Sequence, residues 1–127
     1  MLFHIFNSQQ ERRDYGGSAF MEIQFCRLPK GTHIKELVDN VDHWQNDSLY
    51  IDDENKFYTE YSKIFDCGIY NNLSVGTVDI YGINYYNPDV TDMIIEKLNN
   101  LKPSDYQVLV DWLNKSKDYN GFYILGI

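Results

Sequence analysis

The chain has 127 residues, of which 43% are hydrophobic and 16% aromatic, and its formal net charge is −8 at pH 7. This length is typical of one domain, and the hydrophobic content is too high for a disordered chain. The negative charge argues against nucleic acid and anionic membranes as direct partners, because both would repel the protein.

We expect a cytoplasmic protein with reduced thiols. The apolar runs fall short of the roughly 20 residues that cross a bilayer, and the N-terminal residues lack the basic and apolar regions of a signal peptide. Cys26 and Cys67 belong to no CxxC or metal-ligand pattern, so the sequence indicates neither a disulfide scaffold nor a zinc site.

The N-terminal part predicts two paired strands, at residues 2–6 and 19–27. Apolar residues alternate with polar or small ones in the second segment, as expected when one face of a sheet is buried. The polar segment 7–18 between them ends in glycines and is typical of a hairpin loop. We therefore expect these two strands to form an antiparallel pair.

The next segments predict helices and an acidic loop. Apolar residues at helical spacing predict an amphipathic helix from His33 to Gln45. An acidic loop follows at Asn46–Asn55, with room for a short strand at Leu49–Ile51. The stretch from Asp52 to Phe65 suits a helix capped by its first acids, although its aromatic residues also suit a strand.

The second half predicts a strand, two helices and a final strand. Val75–Tyr86 is rich in strand-forming residues, and Asn87 with Pro88 can open a helix that extends to Asn100. Ser104 and Gln107 match a capping box for another helix through Lys117. The apolar residues 122–127 predict a strand inside the sheet. We infer one α+β domain over residues 1–127, with a mixed or antiparallel sheet of four to six strands and three to four helices.

The negative charge is concentrated between Glu36 and Asp66. This stretch contains nine acids and only two bases, so its formal charge is −7. Part of the cluster has a local cause, since acids favour helix N-termini and the polar faces of amphipathic helices. A concentration of this size still indicates a cationic partner or a solubility role.

No catalytic or cofactor motif is present. The three imidazoles, His4, His33 and His43, form no HxxxH or HExxH pattern, and we expect His33 and His43 on the surface. The run of acids at residues 52–54 lacks the spaced ligands and central glycine of a calcium loop. We therefore expect a binding protein without metal or cofactor and not an enzyme.

Tyrosine is unusually frequent, with eleven in the chain. Most can pack on the sheet, but those beside the acidic stretch have a second use. Tyrosine offers rigid area and a hydroxyl, and it stacks on arginine at interfaces. Tyr50 and Tyr58 are the candidates for contacts with a partner.

This combination of small size, lopsided negative charge and interleaved tyrosines resembles the bacterial immunity proteins of contact-dependent growth inhibition and related polymorphic toxin systems. The resemblance implies that the protein binds and neutralises a basic toxin domain, such as a nuclease, by covering its active-site or nucleic-acid-binding face. The expected partner-binding residues are Asp39, Asp42, Asp47, Tyr50, Asp52, Asp53, Glu54 and Tyr58.

Two other functions fit the same sequence. One is another acidic binding module, such as an adaptor or a DNA-mimicking inhibitor, which would carry the same charge. The other is an enzyme, which would require a pocket holding a carboxylate or imidazole with a shifted pKa.

Overall fold

Strands form the middle layer of the fold, and helices cover both of its faces. The structure is a computed structural model and describes residues 1–17, 19–42 and 44–127. The strands in this part of the chain are β1 (Phe3–His4), β2 (Met21–Phe25), β3 (Leu49–Ile51), β4 (Gly68–Ile69), β5 (Val75–Gly76), β6 (Ile83–Tyr86) and β7 (Phe122–Leu125). The helices are α1 (Gln9–Gly16), α2 (Ile34–Asp39), α3 (Glu54–Tyr61), α4 (Thr91–Leu101) and α5 (Tyr106–Ser116), with a 3-10 turn at Pro88–Val90.

The strands form one antiparallel sheet in the order β1-β3-β2-β7-β6-β4-β5. β7 lies between β2 and β6, with Ile124 opposite Ile23 and Phe122 opposite Tyr86. The prediction that this apolar strand lies inside the sheet is confirmed. It follows that β7 is the central strand of the sheet, whereas β1 lies at one edge.

One face of the sheet carries the main core and is covered by α3, α4 and α5. Phe25 of β2 stacks on Trp112 of α5, with 4.1 Å between ring centroids, and Phe57 and Ile94 from the other two helices are fully buried in the same cluster. Helical spacing of apolar residues predicted α4 and α5, and both are confirmed. For the stretch after residue 52, helix is the correct alternative.

The opposite face is covered by α1, α2 and the segment that follows α2. Leu37 of α2 packs with Tyr85 and Tyr123, and the Tyr123 hydroxyl donates to its carbonyl oxygen at 2.6 Å. Because both faces are covered, every residue of β2 is buried, including Glu22 and Gln24. The expectation that only one face of this strand is buried is wrong.

The α+β class is confirmed, but the expected numbers of elements are too low. The described residues form seven strands and five α-helices. The unexpected helix is α1, in the segment predicted as a hairpin loop, where Ser8 caps the helix by accepting from the Glu11 backbone N–H at 3.1 Å. The predicted pairing of β1 with β2 is also wrong, because β3 lies between them.

Two predicted elements are shorter than expected. The helix predicted to reach Gln45 ends at Asp39, where the Asn40 side chain turns back to donate to the Glu36 carbonyl oxygen at 2.8 Å. The strand predicted over residues 75–86 is divided into β5 and β6. A turn separates them, because the Asp79 carboxylate accepts from the Tyr81 backbone N–H at 2.9 Å.

Candidate functional site

The acids predicted to bind a partner lie on different sides of the sheet. Asp39 ends α2 and Asp42 follows it, on the face that α2 covers, whereas Glu54 begins α3 on the other face. Asp52 and Asp53 lie in the turn between β3 and α3. The stretch that is continuous in sequence is therefore divided in space, and it does not form one acidic face.

Several of these acids also have partners within the protein. Asp39 pairs with Lys35 at 3.4 Å, and Asp47 pairs with Arg27. Asp52 lies 3.3 Å from the His4 Nε2 atom. These contacts are exposed or partly exposed, so each contributes little to stability, but the two pairs with Lys35 and Arg27 reduce the charge that remains for a partner.

Two more of the predicted acids have structural roles. The Asp53 side chain caps α3 by accepting from the Lys56 backbone N–H at 3.0 Å. The Asp42 carboxylate accepts from the Gln45 side chain at 2.7 Å. Both remain exposed to solvent, and Glu54 is half-buried.

Tyr50 does not fit the predicted role of partner anchor. Its side chain is fully buried, and Trp44 stacks on it with 5.2 Å between ring centroids. The hydroxyl donates to the Gln45 carbonyl oxygen at 2.7 Å and accepts from the Gln45 backbone N–H at 3.2 Å. This tyrosine holds the segment after α2 against the sheet, and a partner cannot reach it.

Tyr58 lies in an open groove at one end of the sheet. Its side chain is 43% exposed, and the groove has a volume of about 470 Å³. Tyr70, Tyr81 and Asp79 line the same groove, and Tyr81 is 76% exposed. The structure therefore places three tyrosines and an exposed aspartate in the lining of one groove.

Sequence reasoning missed the other members of this groove. Tyr81 and Asp79 lie within the segment predicted as one strand, where both would be on the same face of the sheet and packed beside neighbouring strands. The turn that interrupts the strand places both side chains on the surface. The signal was the Asp-x-Tyr-Gly sequence at residues 79–82, since aspartate and glycine favour turns.

A second polar site is buried on the face covered by α1 and α2. Glu22 is only 4% exposed, and its Oε2 atom accepts from the Gln24 side chain and the Ser48 hydroxyl, each at 2.7 Å. Burial raises the pKa of this carboxyl, while the two hydrogen bonds and the charge of Arg12 oppose the rise. The pattern of alternation placed this glutamate on an exposed face, so the sequence analysis passed over it.

The described cysteines and histidines do not form a second candidate site. Cys26 is buried, and Cys67 is half-buried with a pKa that burial raises; both are free thiols. His33 is exposed and caps α2, and His43 lies outside the described residues. Within the ranges given above, His, Cys, Asp and Glu form no group of three or more that could hold a metal ion.

None of the helices that the structure describes has the length and apolar character needed to cross a bilayer. Comparison of the chain with protein-family models, curated proteins and solved structures finds no match.

Proposed function

We propose that the protein binds a cationic protein partner through the tyrosine groove, and that it is an immunity protein which neutralises a basic toxin domain in the cytoplasm. The observation that carries the proposal is the groove itself, which Tyr58, Tyr70 and Tyr81 line together with Asp79. The partner's chemistry follows from these groups.

An arginine side chain fits such a groove better than a neutral one. Its guanidinium group can stack on a tyrosine ring and donate hydrogen bonds to a carboxylate at the same time. The Asp79 carboxylate is exposed, and its Oδ1 atom is engaged only in the backbone turn to Tyr81. A carboxylate can accept further hydrogen bonds beyond this one.

The net negative charge of the protein would also attract a basic partner. With −8 overall, the protein attracts a basic domain over a distance comparable to the Debye length, about 10 Å at 0.1 M salt. In this proposal Asp39, Asp42, Asp52 and Glu54 contribute to attraction, and Tyr58 supplies the buried contact that slows dissociation. Tyr50 takes no part.

A nuclease is the toxin class that suits this surface. A nuclease presents lysine and arginine to phosphate groups, and a groove lined by three tyrosines and Asp79 can hold one such arginine in place of the substrate. A DNA mimic is a weaker candidate, because it needs carboxylates in a regular row, whereas the acids described here are divided between two faces of the sheet.

An immunity gene should lie directly downstream of a large toxin gene, so the test uses the C-terminal domain of the protein encoded immediately upstream, and an upstream gene without a basic C-terminal domain would contradict the proposal. Binding to the purified protein is measured by biolayer interferometry at several salt concentrations. We expect tight binding whose association rate falls as salt increases. Absence of binding, or association that does not depend on salt, would remove the proposal.

Variants then locate the interface. Tyr58→Ala combined with Asp79→Asn should weaken binding at least tenfold, or about 1.4 kcal/mol. An asparagine at position 79 can still accept from the Tyr81 backbone N–H, so the turn is retained. The matched control is Tyr15→Ala with Asp111→Asn, since Tyr15 is 55% exposed on α1 and Asp111 is exposed on α5. Equal effects in the two pairs would place the interface elsewhere.

A further inference from the structure

A second cavity lies beside Glu22, on the face of the sheet that α1 and α2 cover, and it shares Tyr81 with the tyrosine groove. It has a volume of about 340 Å³, within the range of small-molecule sites. Arg12 and Glu22 line it together with the apolar side chains of Phe20, Ile83 and Leu125. The cavity thus combines one cationic side chain, two acidic side chains, Glu22 and Asp42, and an apolar wall.

Glu22 retains capacity to bind a donor. Its two side-chain hydrogen bonds, from Gln24 and Ser48, both reach the Oε2 atom. An ionised carboxylate offers about four acceptor positions over its two oxygens. Neither of these two hydrogen bonds reaches the Oε1 atom, so a donor from a ligand in the cavity would find an acceptor there.

Arg12 is held in place but incompletely paired. Its guanidinium carbon lies 5.3 Å from the centroid of the Trp44 ring and 5.5 Å from that of Tyr50. Its Nε atom is buried and has no hydrogen-bond partner among the described residues. Arg12 and Glu22 form no ion pair within 4.0 Å among the described residues. No other hydrogen bond of the Arg12 side chain is formed with the described residues, so its terminal N–H groups keep donors for the carboxylate of a ligand in the cavity.

We propose that this cavity binds a small zwitterion of the α-amino acid type with an apolar side chain. The ammonium group pairs with Glu22, the carboxylate pairs with Arg12, and the side chain packs on Phe20, Ile83 and Leu125. A simple cation would leave the Arg12 donor unpaired. A simple anion would face Glu22 and the Asp42 carboxylate, which also lines the cavity.

The experiment compares three probes of similar shape on the unmodified protein. L-Leucine carries both charges, isoamylamine only the positive one and 4-methylpentanoate only the negative one. Binding is followed by amide chemical shifts in ¹⁵N NMR spectra. We expect leucine to bind at least tenfold more tightly than either analogue, with shifts at residues 20–22, 83 and 125. If leucine does not bind, or if one analogue binds equally well, the proposal is wrong.

A pair of variants tests the assigned contact. Arg12→Met should reduce leucine affinity at least tenfold, while Arg13→Met, which removes an exposed neighbouring arginine, should leave it unchanged. The variant Arg12→Lys serves as a second measurement if the methionine variant is unstable, and it should weaken binding through loss of the paired N–H donors. Unchanged affinity in the folded Arg12 variants would overturn the assignment.

Discussion

Replacement of Tyr50 by phenylalanine should destabilise the protein by about 2 to 4 kcal/mol. The substitution removes one oxygen atom from a fully buried ring and leaves the packing of the ring intact. That oxygen bonds both the N–H and the carbonyl group of Gln45, a residue that is itself only 8% exposed. Two buried backbone groups would lose their partner, at about 1 to 3 kcal/mol each, with some relief from local movement.

The matched control is Tyr58→Phe, which removes the same atom from a side chain that is 43% exposed. It should change the free energy of unfolding by less than about 0.5 kcal/mol. Urea unfolding followed by far-UV circular dichroism measures both variants, and the slope with urea should stay constant. The reasoning is refuted if Tyr50→Phe is as stable as the natural protein, or if the two variants lose the same amount.

Two further predictions concern stability. Burial raises the pKa of Glu22 in the folded protein, so the stability gained from its protonation is present at low pH and is lost as the pH rises from about 4.5 through the raised folded pKa. Urea titrations between pH 4 and 8 should therefore show the free energy of unfolding of the natural protein falling relative to that of Glu22→Gln. A relative rise over this pH range would contradict the prediction. Gly121→Ala should cost more than about 3 kcal/mol by thermal unfolding, since a methyl group there would lie 2.1 Å from the Tyr86 carbonyl oxygen. Gly31→Ala, at a similar positive φ but with nothing within 4 Å, should cost only about 1 kcal/mol, and equal losses would show that the clash is not decisive.

The helices that the sequence predicted well are those whose apolar stripe meets the main core. The spacing of Ile94 and Leu98 in α4, and of Leu109 and Leu113 in α5, matches side chains that are fully buried. Periodicity of this kind results from the contact that it predicts. The final strand was recognisable for the same reason, since an apolar run without alternation requires burial on both faces.

The missed helix α1 shows where periodicity fails. None of its residues is buried, so it has no apolar stripe to detect. The remaining signal was local: Ser8 and Glu11 have the spacing of a capping box, and the Glu11 carboxylate accepts from the Asn7 backbone N–H at 3.0 Å. This helix also covers the second face of the sheet, so missing it made Glu22 look exposed.

The candidate sites depend on contacts between residues that are far apart in the sequence, and periodicity does not predict such contacts. The acids of residues 36–66 are dispersed because α2 and α3 lie on opposite faces of the sheet. The sequence does not predict the order of the strands, and so it does not predict which face each helix covers. Tyr58 was identified from composition, and it is exposed as a partner-binding residue must be. Tyr50 was identified by the same criterion and is buried, because strand β3 is an interior strand with both faces covered.

The central position of β7 has a consequence for synthesis on the ribosome. Until residues 122–125 leave the exit tunnel, β2 and β6 have no common neighbour, and each presents an open edge of backbone N–H and carbonyl groups. Open edges recruit strands from other chains. The nascent protein therefore has an aggregation-prone stage, which ends when β7 pairs with β2 on one side and β6 on the other.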